Sequence, residues 1–133
     1  MADLFAGTWD LDLSRCRYES RQPPRSATYT IVEDGVGYLV FMEWLEADGT
    51  RQTSSYGAIP DGVRRKHTDG GIDEVSMTRV SERRLDSASF RNGKSIHRSR
   101  RDLSEDGRAL TITQIFRGAD GETHTDWAVY TKR

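Results

Sequence analysis

An all-β fold, a single antiparallel up-and-down barrel of about 8–10 strands, is what this sequence predicts. Turn dipeptides punctuate the chain at short, regular intervals: Asp34-Gly35, Asp48-Gly49, Asp61-Gly62, Asp69-Gly70-Gly71, Asn92-Gly93, Asp106-Gly107 and Asp120-Gly121. Such pairs supply the positive-φ residues that tight hairpins need. The runs between them have strand length, and several are rich in Thr, Val, Ile, Tyr and Trp. No run holds a helical period with caps at both ends. A meander of this kind has two exposed edges, and closure into a barrel removes them.

Taken in order, strands are expected near 5–13, 27–33, 37–47, 50–59, 63–67, 73–80, 84–91, 94–103, 108–117 and 122–132. The first alternates cleanly, with Phe5, Gly7, Trp9, Leu11 and Leu13 on one face and Ala6, Thr8, Asp10 and Asp12 on the other. After it, one short helical turn fits around 14–22 before Pro23 and Pro24 end it. Strand 37–47 is apolar on both faces, so its outer face is expected to be covered by a terminus or by the second protomer of a homodimer. Three later strands mix apolar and polar residues on the face assigned inward: Val75 and Met77 with Arg79, Ile96 with Arg98 and Arg100, and Leu110, Ile112 and Phe116 with Gln114. An unpaired buried arginine is costly in a dry core. A solvated or ligand-filled cavity accommodates it.

Composition sets the outer bounds. A chain of 133 residues is about one domain, spanning 1–133 with no linker or low-complexity tract. Hydrophobic residues make up 35% and charged residues 31%, a balance suited to strands with one buried face each. The net charge of -1 gives no basic excess to draw the chain on to nucleic acid or anionic lipid. The arginines of "SERR" and "HRSRR" lack the aromatic interleaving of a single-strand binding face. The longest apolar cluster, "GYLVFMEWL", is too short to cross a bilayer, and no basic segment precedes an apolar one at the N-terminus. The lone Cys16 excludes an internal disulfide. These features predict a cytoplasmic protein with neither nucleic-acid nor membrane partners.

Gly7, Thr8 and Trp9 in the first strand of a small antiparallel barrel resemble the Gly-x-Trp motif of the calycin superfamily, which comprises lipocalins, fatty-acid-binding proteins and avidins. More closely, "FAGTWDLDLSRCRY", the Pro-Pro after it, "DGRALTIT" and the terminal "AVYTKR" resemble small bacterial lipocalin-like proteins of uncharacterised function. The resemblance implies a lipocalin-like barrel with Trp9 across its closed end. Fatty-acid-binding proteins commonly end in an Arg-x-Tyr pair that holds a ligand carboxylate. Tyr130 matches the tyrosine, but Ala128 stands where the arginine would be. The segment between the first two strands is also too short for that family's two-helix lid. The glycine-rich signature of haem-binding nitrobindins is absent, so no haem, and no other cofactor, is expected.

The expected function is binding of a small apolar or amphipathic molecule inside the barrel. Tyr38, Met42, Trp44 and Tyr56 form either an aromatic wall for a flat ligand or ordinary core. Arg79 and Arg98 are either inward cations for a ligand acid group or solvated surface. Met77, Gln114 and Tyr130 complete the candidate lining. His124 and Asp126 share a strand face, which also admits an enzyme using them for proton transfer. On that strand, apolar burial turns Trp127 and Val129 inward, whereas the match at Tyr130 turns the even positions inward, and the second reading is preferred. No histidine pair has metal-ligand spacing, so no metal site is expected. Arg15 and Arg17 flank Cys16, which is either a thiol of lowered pKa or a plain loop cysteine, and the second reading is preferred. A packed, ligand-free dimerising module is the remaining alternative.

Overall fold

A computed structural model describes residues 3–19, 21–67, 71–117 and 121–133. Ten strands form one antiparallel sheet: β1 (Gly7–Leu11), β2 (Ser26–Glu33), β3 (Tyr38–Leu45), β4 (Arg51–Ala58), β5 (Arg65–Lys66), β6 (Glu74–Ser81), β7 (Arg84–Arg91), β8 (Lys94–Leu103), β9 (Ala109–Arg117) and β10 (Thr123–Lys132). Each expected strand has its counterpart. The turn dipeptides account for the hairpins; at Asn92-Gly93 both residues have positive φ, 51° and 78°, the geometry of a tight two-residue connection. Residues 69, 70 and 120 of the expected turns lie outside the described residues.

The strand order is β4-β3-β2-β1-β10-β9-β8-β7-β6-β5, so the first and last strands are neighbours. Trp9 pairs with Lys132, Asp10 with Thr131 and Leu11 with Tyr130. The sheet curls so that β4 and β5, its two ends, line the same interior space. Among the described residues these ends do not pair with each other, so the ring keeps one seam that is not hydrogen-bonded shut.

Phe5 and Trp9 are fully buried and begin a core continued by Tyr29, Ile31, Val40, Leu85 and Leu110 at the closed end. Gly7, between them in the alternation, has φ of +141°, and a β-carbon there would lie 2.9 Å from Lys132 Cε. The Lys132 side chain can move aside, but the positive φ is one that only glycine adopts cheaply. The apolar face ends earlier than expected. Leu13 leaves the strand in a single 3-10 turn, Leu13–Arg15, and is exposed. Asp12 caps that turn by accepting the Ser14 backbone N–H at 3.2 Å.

The β1–β2 connection then runs as an extended strap along β10. Arg17 N–H donates to Trp127 O at 2.8 Å and Trp127 N–H donates back to Arg17 O at 2.7 Å. The Arg17 guanidinium lies 5.6 Å from the centre of the outward-facing Trp127 ring. On the outer face of β3, Leu39 and Phe41 remain 40% and 47% exposed. Among the described residues no terminus covers them. No helix among the described residues is long and apolar enough to cross a membrane.

Candidate functional site

Inside the barrel lies a cavity of about 690 Å³, a typical size for a small-molecule site. One wall is mainly apolar, with Met42, Trp44, Ile59, Val75 and Met77; the facing strands β7 to β9 bring Ser87, Ser89, His97, Ser99, Arg101 and Gln114. Tyr18 of the strap, Tyr29 and Tyr130 also line it, and their rings are large enough to narrow the space.

Arg101 is the dominant group. Its side chain enters the cavity wall although the residue is only 6% exposed. Nε donates to the Tyr29 hydroxyl at 2.9 Å, Nη1 to Ser87 Oγ and Ser99 Oγ at 3.1 Å each, and Nη2 to the Tyr56 hydroxyl at 2.7 Å. Every one of these partners is neutral. No ion pair joins Arg101 to a carboxylate among the described residues. Burial opposes the charge, but the Tyr29 and Tyr56 oxygens outweigh it and hold the guanidinium firmly protonated. For Tyr56, burial raises the phenol pKa far above its ordinary value even though Arg101 pulls the other way, so it stays a neutral hydroxyl.

The donor inventory leaves capacity for a ligand. A guanidinium has five N–H groups, and four are used by these contacts. The Tyr29 and Tyr56 hydroxyls lie 3.1 Å apart, so one donates to the other and the acceptor's own proton remains to be given. The arrangement is a buried cation with one spare N–H and a phenol beside it. An anionic oxygen is the group that satisfies both.

The sequence reading missed Arg101 and favoured Arg98, which the structure places on the exposed outer face of β8. The reason is a bulge. Opposite Ser89 and Phe90, the pairing partners jump from His97 to Ser95, leaving Ile96 as the inserted residue. An insertion reverses the alternation beyond it. Counting forward from Ile96 therefore turns Arg98 and Arg100 inward; counting back from buried Leu103 gives Arg101, Ser99 and His97, as observed.

Two further expected lining residues belong to the closed end and not to the cavity. Tyr38 is buried there and donates its hydroxyl to Asp3 Oδ2 at 2.5 Å. Arg79 donates to the Tyr38 hydroxyl and pairs with Asp3 at 3.3 Å. Its face was read as Val75 and Met77 have it, but it sits one step past the core. Alternation assigns a face, not a depth.

Met42, Trp44, Tyr56, Met77, Gln114 and Tyr130 all line the cavity. The even positions of β10 turn inward: Asp126, Ala128 and Tyr130 contribute to the wall. Asp126 is buried and accepts the Glu19 backbone N–H at 2.8 Å, which anchors the strap. His124, on the same strand face, is not part of the lining. Cys16 is not activated by its arginines. Burial raises its thiol pKa, and Val129 N–H donates to its sulfur at 3.3 Å. Glu43 pairs with Arg51 at the barrel surface.

At the mouth, Arg21 of the strap meets Glu46 at 2.5 Å, and the same carboxylate accepts the Trp44 indole N–H at 2.5 Å. Together they fasten the strap to the β3–β4 hairpin. No group of His, Cys, Asp and Glu among the described residues is arranged to hold a metal ion.

No family model and no curated protein matches this sequence. Solved structures do match it in fold. A point mutant of the fluorescent protein UnaG aligns over 100% of this chain and 99% of its own, with a TM-score of 0.66 and 14% identity. Wild-type UnaG aligns over 100% of both chains at a TM-score of 0.59 and 13% identity. Zebrafish ileal bile-acid-binding protein, solved with cholic acid, aligns over 98% of this chain and 99% of its own at 0.59 and 14%. The chain thus shares the lipocalin-type β-barrel fold of these proteins.

Proposed function

We propose that this protein binds a small amphipathic molecule carrying an acid group, with the acid held by Arg101 and the apolar body against Met42, Trp44 and Met77. The observation that carries the reading is a buried guanidinium in a cavity wall with no counter-ion among the described residues. A cation sequestered in this way costs several kcal/mol when it lacks a charged partner. An anionic ligand group in the cavity would supply that partner.

The likeness in fold to a protein complexed with cholic acid, an amphipathic acid, agrees with this assignment. Burial of the ligand's apolar surface contributes about 25 cal/mol per Å² before ordering costs, and the charged contact sets orientation. Tyr130 joins the site as the sequence match implies, while Arg101 supplies from β8 the cation that Ala128 does not. A cavity of about 690 Å³ weighs against the packed, ligand-free module. The absence of His124 from the lining weighs against proton transfer by a His124–Asp126 pair.

Native mass spectrometry of freshly purified protein tests the reading. The expected spectrum contains a one-to-one adduct whose released small molecule ionises in negative mode and is depleted from the Arg101→Met variant. Adducts equally abundant on both proteins would contradict the assignment.

A further inference from the structure

A second basic side chain lines the cavity on the same strand face as the arginine. His97, Ser99 and Arg101 all turn inward from β8, which puts His97 four residues, about 13 Å, from Arg101 along the strand. Nη1 of Arg101 reaches back to Ser99 Oγ at 3.1 Å, which brings the guanidinium towards His97. The wall around His97 also accepts a charged ring. Nε2 lies 3.3 Å from Gln114 Oε1, and a protonated imidazole has an N–H on both nitrogens, so the amide oxygen accepts from it. Phe116 packs beside the ring, with centroids 5.7 Å apart.

Within the protein, burial lowers the His97 pKa, the Gln114 contact opposes this, and the Arg101 charge lowers it further. The ring is therefore neutral at pH 7 beside a permanent cation. An acid bound to Arg101 changes this balance. It offsets the guanidinium charge that His97 feels and brings a negative charge into a cavity where screening by water is reduced. Both effects favour the imidazolium. By linkage, protonation of His97 strengthens the hold on the acid by the same factor.

We infer that His97 makes acid binding at Arg101 respond to pH, tightening it in mild acid and loosening it towards neutral pH. The inference rests on the proposed acid site and adds its regulation. Acid binding raises the His97 pKa. The gain in affinity is therefore complete below the pKa of the free protein, itself under the ordinary imidazole value, and is lost as pH rises through that of the complex. Opposite unit charges about 13 Å apart at an effective dielectric of about 20 correspond to a gain of about tenfold, which salt reduces.

The surroundings show which other groups the test must separate. Ser89 of β7 and Phe116 of β9 stand opposite His97, and neither ionises. One strand further, Asp126 and His124 of β10 stand opposite Gln114 and Phe116. Elsewhere on the lining are His67, Arg65 paired with Asp61, and Arg21 paired with Glu46. The Tyr18, Tyr56 and Tyr130 phenols, their pKa values raised by burial, stay neutral. His67 and His124 are thus the imidazoles to be controlled for.

The test titrates the protein with anilinonaphthalene sulfonate, whose acid group stays ionised throughout, at about pH 8 and about pH 5.5, either side of imidazole titration. Wild type is expected to bind about three- to tenfold more tightly at the lower pH. His97→Gln is expected to bind equally at both, and to match wild type at the higher pH, which also shows that it folds. His67→Gln and His124→Gln should keep the wild-type difference, and N-phenylnaphthylamine, the same skeleton without the sulfonate, should show none. Calorimetry at about pH 6.5 in two buffers of different ionisation enthalpy should register proton uptake on binding by wild type and none by His97→Gln. Equal wild-type affinity at the two pH values, a difference that survives in His97→Gln, or one that the uncharged probe shares would overturn the pH role. With binding weakened throughout in Arg101→Met, each of those results leaves the acid site standing. Binding indifferent to Arg101→Met would overturn both.

Discussion

Replacing Arg101 by methionine is expected to weaken binding of an anionic amphiphile about a hundredfold, while leaving the protein as stable as before or more so. The two halves of this result come from one physical fact. Arg101 is 6% exposed and its guanidinium is bonded only to hydroxyls. Methionine fills similar volume without charge, and exchanging buried charge for apolar side chain is commonly neutral or stabilising. The Tyr29 and Tyr56 hydroxyls keep their mutual contact at 3.1 Å. Binding moves the other way. A charge-assisted hydrogen bond contributes about 1.5–3 kcal/mol, and the upper end corresponds to about two decades in Kd. Titration with anilinonaphthalene sulfonate, read by its fluorescence, measures the loss, and thermal unfolding measures the stability. A variant that unfolds early and binds the dye normally would show that Arg101 is a structural residue.

Trp9→Ala is expected to lower stability by about 3–5 kcal/mol, the range for emptying a large aromatic site in a packed core. Trp9 is fully buried at the centre of β1, opposite Tyr29 on β2 and Lys132 on β10. Its indole N–H donates to Phe5 O at 3.0 Å, and the Lys132 ammonium lies 5.4 Å from the ring centre. The residue thus joins the strands through which the first and last parts of the chain meet. A cavity left here cannot collapse without moving the β1–β10 pairing. Trp9→Phe should lose less, because a ring remains to fill the site. Urea unfolding curves for the three proteins decide it, and an unchanged midpoint for Trp9→Ala would mean that the closed end is not the core.

The architecture was legible because its signals are local. Asn92-Gly93 forces a hairpin whatever surrounds it, and the alternation from Phe5 to Leu11 states which side of β1 is wet. The site was legible only in part, for two physical reasons. Period-two alternation carries no information about height along the barrel, which depends on strand tilt and stagger. Arg79 and Tyr38 were therefore assigned to a cavity when they close its floor. An inserted residue also resets the alternation without marking itself, as Ile96 does in β8. That hid Arg101 behind Arg98. Buried Leu103, anchoring the other end of the strand, was the signal that could have recovered it.

Binding of an acid against Arg101 inside the barrel has a direct spectroscopic readout. The arginine Nε–H resonances in a nitrogen-15 correlation spectrum test it most directly, because the Arg101 Nε–H is buried and bonded to Tyr29 while surface arginine protons exchange rapidly. Titration with β-naphthoate is expected to shift one protected Nε–H, absent from Arg101→Met, along a saturable one-to-one curve, with no such shift from neutral β-naphthol at the same concentrations. An Arg101 resonance unmoved by the acid, with shifts confined to outward-facing residues such as Phe41 and Arg98, would contradict the account.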